Sequence, residues 1–255
     1  MKQTLQRLYV FHLRWHELQS LSRGERALFA VSSFALSEVN VLQRLSLFSL
    51  YQVSGNKHVE EAASIQRNVL LRLVTLKLFE FRKLVERSSS SGELSGRCRA
   101  IVESKLDDLK RIDDLPGFRI AKLIRNKVVG HYDFEQTIRS VDRCEDDFEC
   151  SLYLADEAGN SFFPIGEKIV FERLGALPIE RERAEADSAA EVQQWIDWTT
   201  AVGQCLKDLH FQVFFEVVAP LFDGRKARQR DEWIDPDLVG DHPTFRIPVF
   251  LRDAP

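Results

Sequence analysis

The sequence predicts a mostly α-helical bundle with a small β-hairpin insertion and an irregular C-terminal tail, and three observations predict it. Apolar residues recur at helical spacing through most of the first 220 positions. Strand-like alternation replaces that spacing only between about 148 and 173. Four of the eight prolines follow position 220, where no further periodic segment is evident.

Taken in order, residues 4–21 place Leu5, Leu8, Tyr9, His12, Trp15 and Leu18 at helical spacing, which predicts an amphipathic first helix ending near Ser22-Arg23-Gly24. The next predicted helix, about 25–53, carries Phe29, Val31, Phe34, Val39, Val41 and Leu45 in nearly all directions. That pattern suits a central helix or one shared with a second subunit. Ser54-Gly55-Asn56 breaks it. A third helix, about 57–87, sets Leu70, Leu73, Leu76 and Phe79 against Arg67, Arg72, Lys77 and Arg82, and is expected to form an antiparallel hairpin with the second. Ser88 to Gly92 reads as a connector within the domain. Helices of about 96–112 and 116–131 follow, the second opened by Pro116.

Beyond Phe148, Leu152, Leu154, Phe163 and Ile165 flank the turn residues 156–160, and a third short run spans Lys168–Glu172, predicting a hairpin or meander. Ser188 and Glu191 have capping-box spacing before a last helix that stops near Pro220. The organisation expected is a bundle over 1–222 with the insertion at about 148–173, and a proline-rich extension over 223–255.

Composition narrows the function classes. Hydrophobic residues make up 44% and charged residues 29%, ordinary values for a chain that folds alone, and the net charge of −4 gives no global attraction to nucleic acid or anionic membrane. A polyanion site has to be local. Cys98, Cys144, Cys150 and Cys205 form neither a CxxC pair nor a zinc-ligand cluster, so reduced thiols and a cytoplasmic location are expected. Arg7, His12 and Arg14 interrupt the first apolar stretch, which lacks a signal-peptide core, and no run is long enough to span a bilayer.

The local site is the 116–131 helix. It contains Arg119, Lys122, Arg125 and Lys127, with no acid between residues 115 and 132. Cations near a helix C-terminus also complement its macrodipole without any ligand. Asn126 and His131 add chemistry to the charge: histidine transfers protons near neutral pH, and arginine holds phosphate bidentately. Two histidines at His12 and His16, beside Glu17, lack a third metal ligand, and Arg225, Lys226, Arg228 and Arg230 read as a solvated helix end. Glu38 and Asn40 interrupt the apolar second helix and are candidate supporting polar groups.

An arginine, a polar residue directly after it and a histidine a few residues on, here Arg125, Asn126 and His131, resemble the active-site motif of the HEPN family. The Arg-Asn-Lys opening, Gly130 before the histidine and Asp133 shortly after it look particularly like the HEPN domains of abortive-infection proteins. The resemblance implies a HEPN-like bundle and a metal-independent endoribonuclease of a toxin or antiviral defence system, with its cleft built across a homodimer. It implies RNA as substrate, no cofactor, and a possible cognate antitoxin as partner. Arg125, Asn126 and His131 are then catalytic, and Arg119, Lys122, Lys127 and Tyr132 bind substrate. Where nucleotidyltransferase-paired HEPN toxins place a tyrosine two residues after the histidine, this chain has Asp133, so regulation through that tyrosine is not implied.

Helix geometry constrains this reading. Six residues turn a continuous helix by about 600°, leaving Arg125 and His131 roughly 120° apart. Gly130 can end the helix before His131, and a symmetric dimer can combine residues of both chains in each cleft. On a straight helix His131 instead falls beside Ile120, Ile124 and Val128 as a buried structural residue. The alternatives to the enzyme are a catalytically silent HEPN-like module binding RNA or protein, and an antitoxin or scaffold whose apolar helices bind another chain.

Overall fold

The computed structural model describes residues 4–49, 55–127, 137–138, 141–142, 144, 148, 151–155, 160–171, 181–222, 227–234 and 248–250. The fold class is the one predicted: mostly α, with a small two-stranded antiparallel sheet. The helices are α1 (Arg23–Phe48), α2 (Lys57–Ser89), α3 (Gly96–Ile112), α4 (Gly117–Lys127), α5 (Pro164–Phe171) and α6 (Arg181–Val213). The strands are β1 (Thr4–Val10) and β2 (Arg228–Ile234).

The helix boundaries follow the expected chemistry. Ser22 caps α1 in a reciprocal pair: its Oγ accepts from the Glu25 N–H at 3.2 Å, while the Glu25 carboxylate accepts from the Ser22 N–H at 2.8 Å. Asn56 caps α2 through its side-chain oxygen, and Ser95 caps α3. α1 and α2 run antiparallel, since Glu38 meets Lys77 at 2.7 Å while Ala27 and Val31 lie beside Leu84 and Arg87. The connector after α2 is shorter than the serine run, because the helix continues to Ser89.

The central element is α6, not α1. It packs against α1, α2, α3 and α4 and buries Trp195, Trp198, Val202, Leu206, Leu209 and Val213 in one core with Phe79, Phe81, Val85, Val102 and Leu109. Each fully buried side chain of this size contributes about 1.5–3 kcal/mol. Within that core the Trp195 indole N–H donates to Thr75 Oγ1 at 2.8 Å, giving a buried polar atom a partner. α1 instead leaves Val31, Phe34, Val41 and Leu47 exposed, Phe34 to 64%. After Val213 the chain widens into a π turn, Phe214–Val218, and closes with a 3₁₀ turn, Ala219–Phe222, which holds Pro220.

Five expectations are corrected. Residues 4–21 are not a helix: they form β1, a loop and a 3₁₀ helix, Trp15–Ser20. The partner of β1 lies in the C-terminal extension, which therefore contributes one regular element, with Thr4 opposite Ile234 and Val10 opposite Arg228. Arg228 and Arg230 accordingly sit on a strand and not at a helix end; Arg225 and Lys226 lie outside the described residues. In the 148–173 insertion the described antiparallel pairing is one bridge, Tyr153 with Phe162, and the third run is helix α5, for which Pro164 at the first helical position is preorganised. Two ion pairs tie α5 to α2, Arg72 with Glu167 at 2.7 Å and Lys168 with Glu61 at 3.6 Å. Finally, α6 begins at Arg181, before the predicted cap at Ser188. Among the described residues no helix is long and apolar enough to cross a membrane.

Candidate active site

The helix that carries the cationic motif is held on three sides. Ile120, Ala121 and Ile124, at positions that share one helix face, are buried in the common core. At its start Gly117 lies flat against α6, where a Cβ would stand 1.9 Å from the Gln194 carbonyl oxygen, so no larger residue lets the helices approach this closely. Just upstream, Asp113 accepts from Arg82 of α2 at 2.7 Å, and the same guanidinium lies 5.1 Å over the Phe118 ring. Phe118 and Phe79 pack on Trp198, at 6.0 and 5.1 Å between ring centres. Burial pushes the Asp113 carboxyl up from its usual value, and the Arg82 charge opposes that shift.

The opposite face of α4 is cationic. Arg119, Lys122 and Asn126 are exposed, and Arg125 is half-buried at the edge of the apolar face. Among the described residues none of the three cations is bonded to a carboxylate; Lys122 lies 5.9 Å over the Phe118 ring. The Arg125 guanidinium donates to Asn126 Oδ1 at 2.8 Å, joining the two adjacent motif residues and leaving further N–H donors on the guanidinium.

Glu80 of α2 lies within reach of the Arg125 charge. Its carboxyl is held below the usual value, first by a hydrogen bond from Lys83 at 2.7 Å, against a smaller opposing burial effect, and then by the charges of Lys83, Arg125 and Arg87. Glu80 was not among the residues singled out by sequence: it is 45 positions from Arg125, and only the packing of α2 on α4 brings them near each other.

Of the predicted site residues, the fold therefore brings Arg119, Lys122, Arg125 and Asn126 onto one short helix. Lys127 is the last residue of that helix. His131 and Tyr132 lie outside the described residues, as do Val128 and Gly130. Glu38 is committed to Lys77 and Asn40 is exposed. His12 and His16 do not share a helix face, because that segment is a loop and a 3₁₀ helix, and among the described residues no group of three metal-ligating side chains gathers.

Compared with family models, with curated proteins and with solved structures, the chain matches none of them.

Proposed function

We propose that this chain is a HEPN-like, metal-independent endoribonuclease of a bacterial toxin or antiviral defence system, acting through Arg125, Asn126 and His131. The observation that carries the reading is the cationic face of α4: a motif arginine joined to its neighbouring asparagine, on a helix locked into the core and supplied with no acid of its own. A rigid helix with uncompensated cations suits a polyanionic substrate, and preorganised donors are what charge development at phosphorus requires.

The chemistry follows from the residue types. A ribose 2′-oxygen attacks the adjacent phosphorus as His131 takes the 2′-hydroxyl proton; the bond to the 5′-oxygen breaks, and that oxygen receives a proton from the acid partner, a second His131 in a composite cleft. Arg125 stabilises the charge on the phosphoryl oxygens, and Asn126 orients the group. Arg119, Lys122, Lys127 and Tyr132 hold the flanking strand. The exposed Phe34 and Val41, seven residues apart on one face of α1, support a homodimer as a surface for a partner. A cognate antitoxin is the second partner this reading includes.

The test is cleavage of a defined single-stranded RNA in excess EDTA. The expected result is full activity, with products ending in a 2′,3′-cyclic phosphate and a 5′-hydroxyl. Loss of activity in EDTA, restored by magnesium, refutes the mechanism. RNA binding without cleavage supports the silent module instead.

A further inference from the structure

We infer that the groove between the start of α1 and the end of α2 is a nucleotide subsite, seating an unpaired base of single-stranded RNA a few nucleotides from the bond cleaved at Arg125. This rests on the ribonuclease reading and extends it to a second surface.

The groove has a volume of about 370 Å³, within the range of small-molecule sites. It is lined by the apolar Ala27, Val31 and Leu84 and by the charged Arg23, Arg87 and Glu93. Both arginines are exposed, and among the described residues neither is bonded to a carboxylate, whereas Arg72, Arg82, Arg97 and Arg111 all are. Two free guanidiniums beside aliphatic side chains match a group with an anionic end and a flat apolar body. A nucleotide has both. Base pairs cannot lie flat in such a groove, so the ligand is single-stranded.

The groove and the candidate active site share helix α2, which lines the groove and packs on α4. Glu80 lies within electrostatic reach of both Arg125 and Arg87. Glu80, Leu84 and Arg87 fall on one stripe of α2, and seven residues of helix span about 10 Å. At roughly 3.4 Å per stacked nucleotide, the stripe from Glu80 to Arg87 is about three nucleotides long. Arg87 stands at one end of that stripe, and the Glu80 carboxylate at the other is paired with Lys83 at 2.7 Å. The apolar contacts in between involve methyl groups, which do not distinguish one base from another.

Binding and cleavage are measured separately, so the two claims can fail separately. Affinity is read by fluorescence anisotropy with a twelve-nucleotide RNA carrying 2′-O-methyl groups throughout, which cannot be cleaved through its 2′-oxygen; cleavage is read with the unmodified strand. Arg23→Ala and Arg87→Ala are each expected to weaken binding roughly fivefold. Ala27→Trp fills the groove without changing charge and is expected to weaken binding roughly tenfold, with the salt dependence preserved. At limiting RNA, cleavage by all three is expected to fall in the same proportion as their affinity. Wild-type affinity in Ala27→Trp, with the helical circular-dichroism signal intact, overturns the subsite, and so does wild-type affinity in the Arg23→Ala, Arg87→Ala double variant. If the unsubstituted chain binds with the expected dependence on Arg87 and Ala27 but cleaves nothing, the subsite stands and the ribonuclease reading falls.

Discussion

Helices α3 and α4 are neighbours in sequence, both pack on α6, and both carry several cations, yet they treat charge in opposite ways. On α3 each cation in the second half has an acid three residues away: Lys105 pairs with Asp108 at 2.8 Å, Lys110 with Asp107 at 2.8 Å, and Arg111 with Asp108. Such pairs contribute a few tenths of a kcal/mol and neutralise the surface. On α4 Arg119, Lys122 and Arg125 have no such partners. The helix macrodipole favours Arg125 and Lys127 in the last turn, but it disfavours Arg119 in the first. Positive charge is therefore neutralised within the helix on α3 and left without an internal acid on α4.

The comparison can be broken at the core first. Ile124→Ala on α4 and Leu109→Ala on α3 remove fully buried side chains, so each is expected to cost about 2–5 kcal/mol in urea unfolding. A neutral Ile124→Ala would mean that α4 is not anchored as described. The charge difference is tested next. Arg119→Ala is expected to lower RNA affinity and make its salt slope shallower by about 0.7, while Lys110→Ala leaves both unchanged. Equal responses from the two helices would erase the distinction between them.

A smaller effect concerns α6, the helix on which both pack. His210 stacks on Phe29 with ring centres 5.6 Å apart, and its Nδ1 lies 3.1 Å from the buried Ser32 Oγ. Burial lowers its pKa below the ordinary 6.5. The unfolded chain then binds the proton more readily than the folded one, so stability is full above about pH 6.5 and falls as pH drops toward the lowered value. Thermal midpoints between pH 7 and 5.5 should decline, and His210→Gln should flatten that decline. An unchanged slope in the variant would assign the pH dependence elsewhere. Smallest of all, Lys110→Ala should alter stability by no more than about 0.5 kcal/mol, as for an exposed pair.

Much of the helical framework is legible because its signals are local. Ser95 and Ile112 bound α3 where periodicity and capping chemistry place it, and Pro116 with Gly117 marks the entry to α4. What escapes local reading depends on distant partners. Leu5, Leu8 and Tyr9 stand at helical spacing, and only the distant pairing of β1 with residues 228–234 makes them a strand. The centrality of α6 is similarly invisible in α1, whose apolar residues signal burial without saying which of them remain exposed. In the site, Arg119, Lys122, Arg125 and Asn126 are readable as a cationic run, whereas Glu80 and the Arg23–Arg87 groove arise only when α1, α2 and α4 pack together.

The central proposal is that Arg125 and His131 cleave RNA. Its most direct test compares Arg125→Ala and His131→Ala with Lys122→Ala, read as cleavage of a defined single-stranded RNA alongside the helical circular-dichroism signal. The account predicts that the first two abolish cleavage with the fold intact, because they remove phosphate stabilisation and proton transfer, while Lys122→Ala only weakens binding. Wild-type cleavage by folded His131→Ala would contradict it, and unfolding of His131→Ala would make that histidine a core residue.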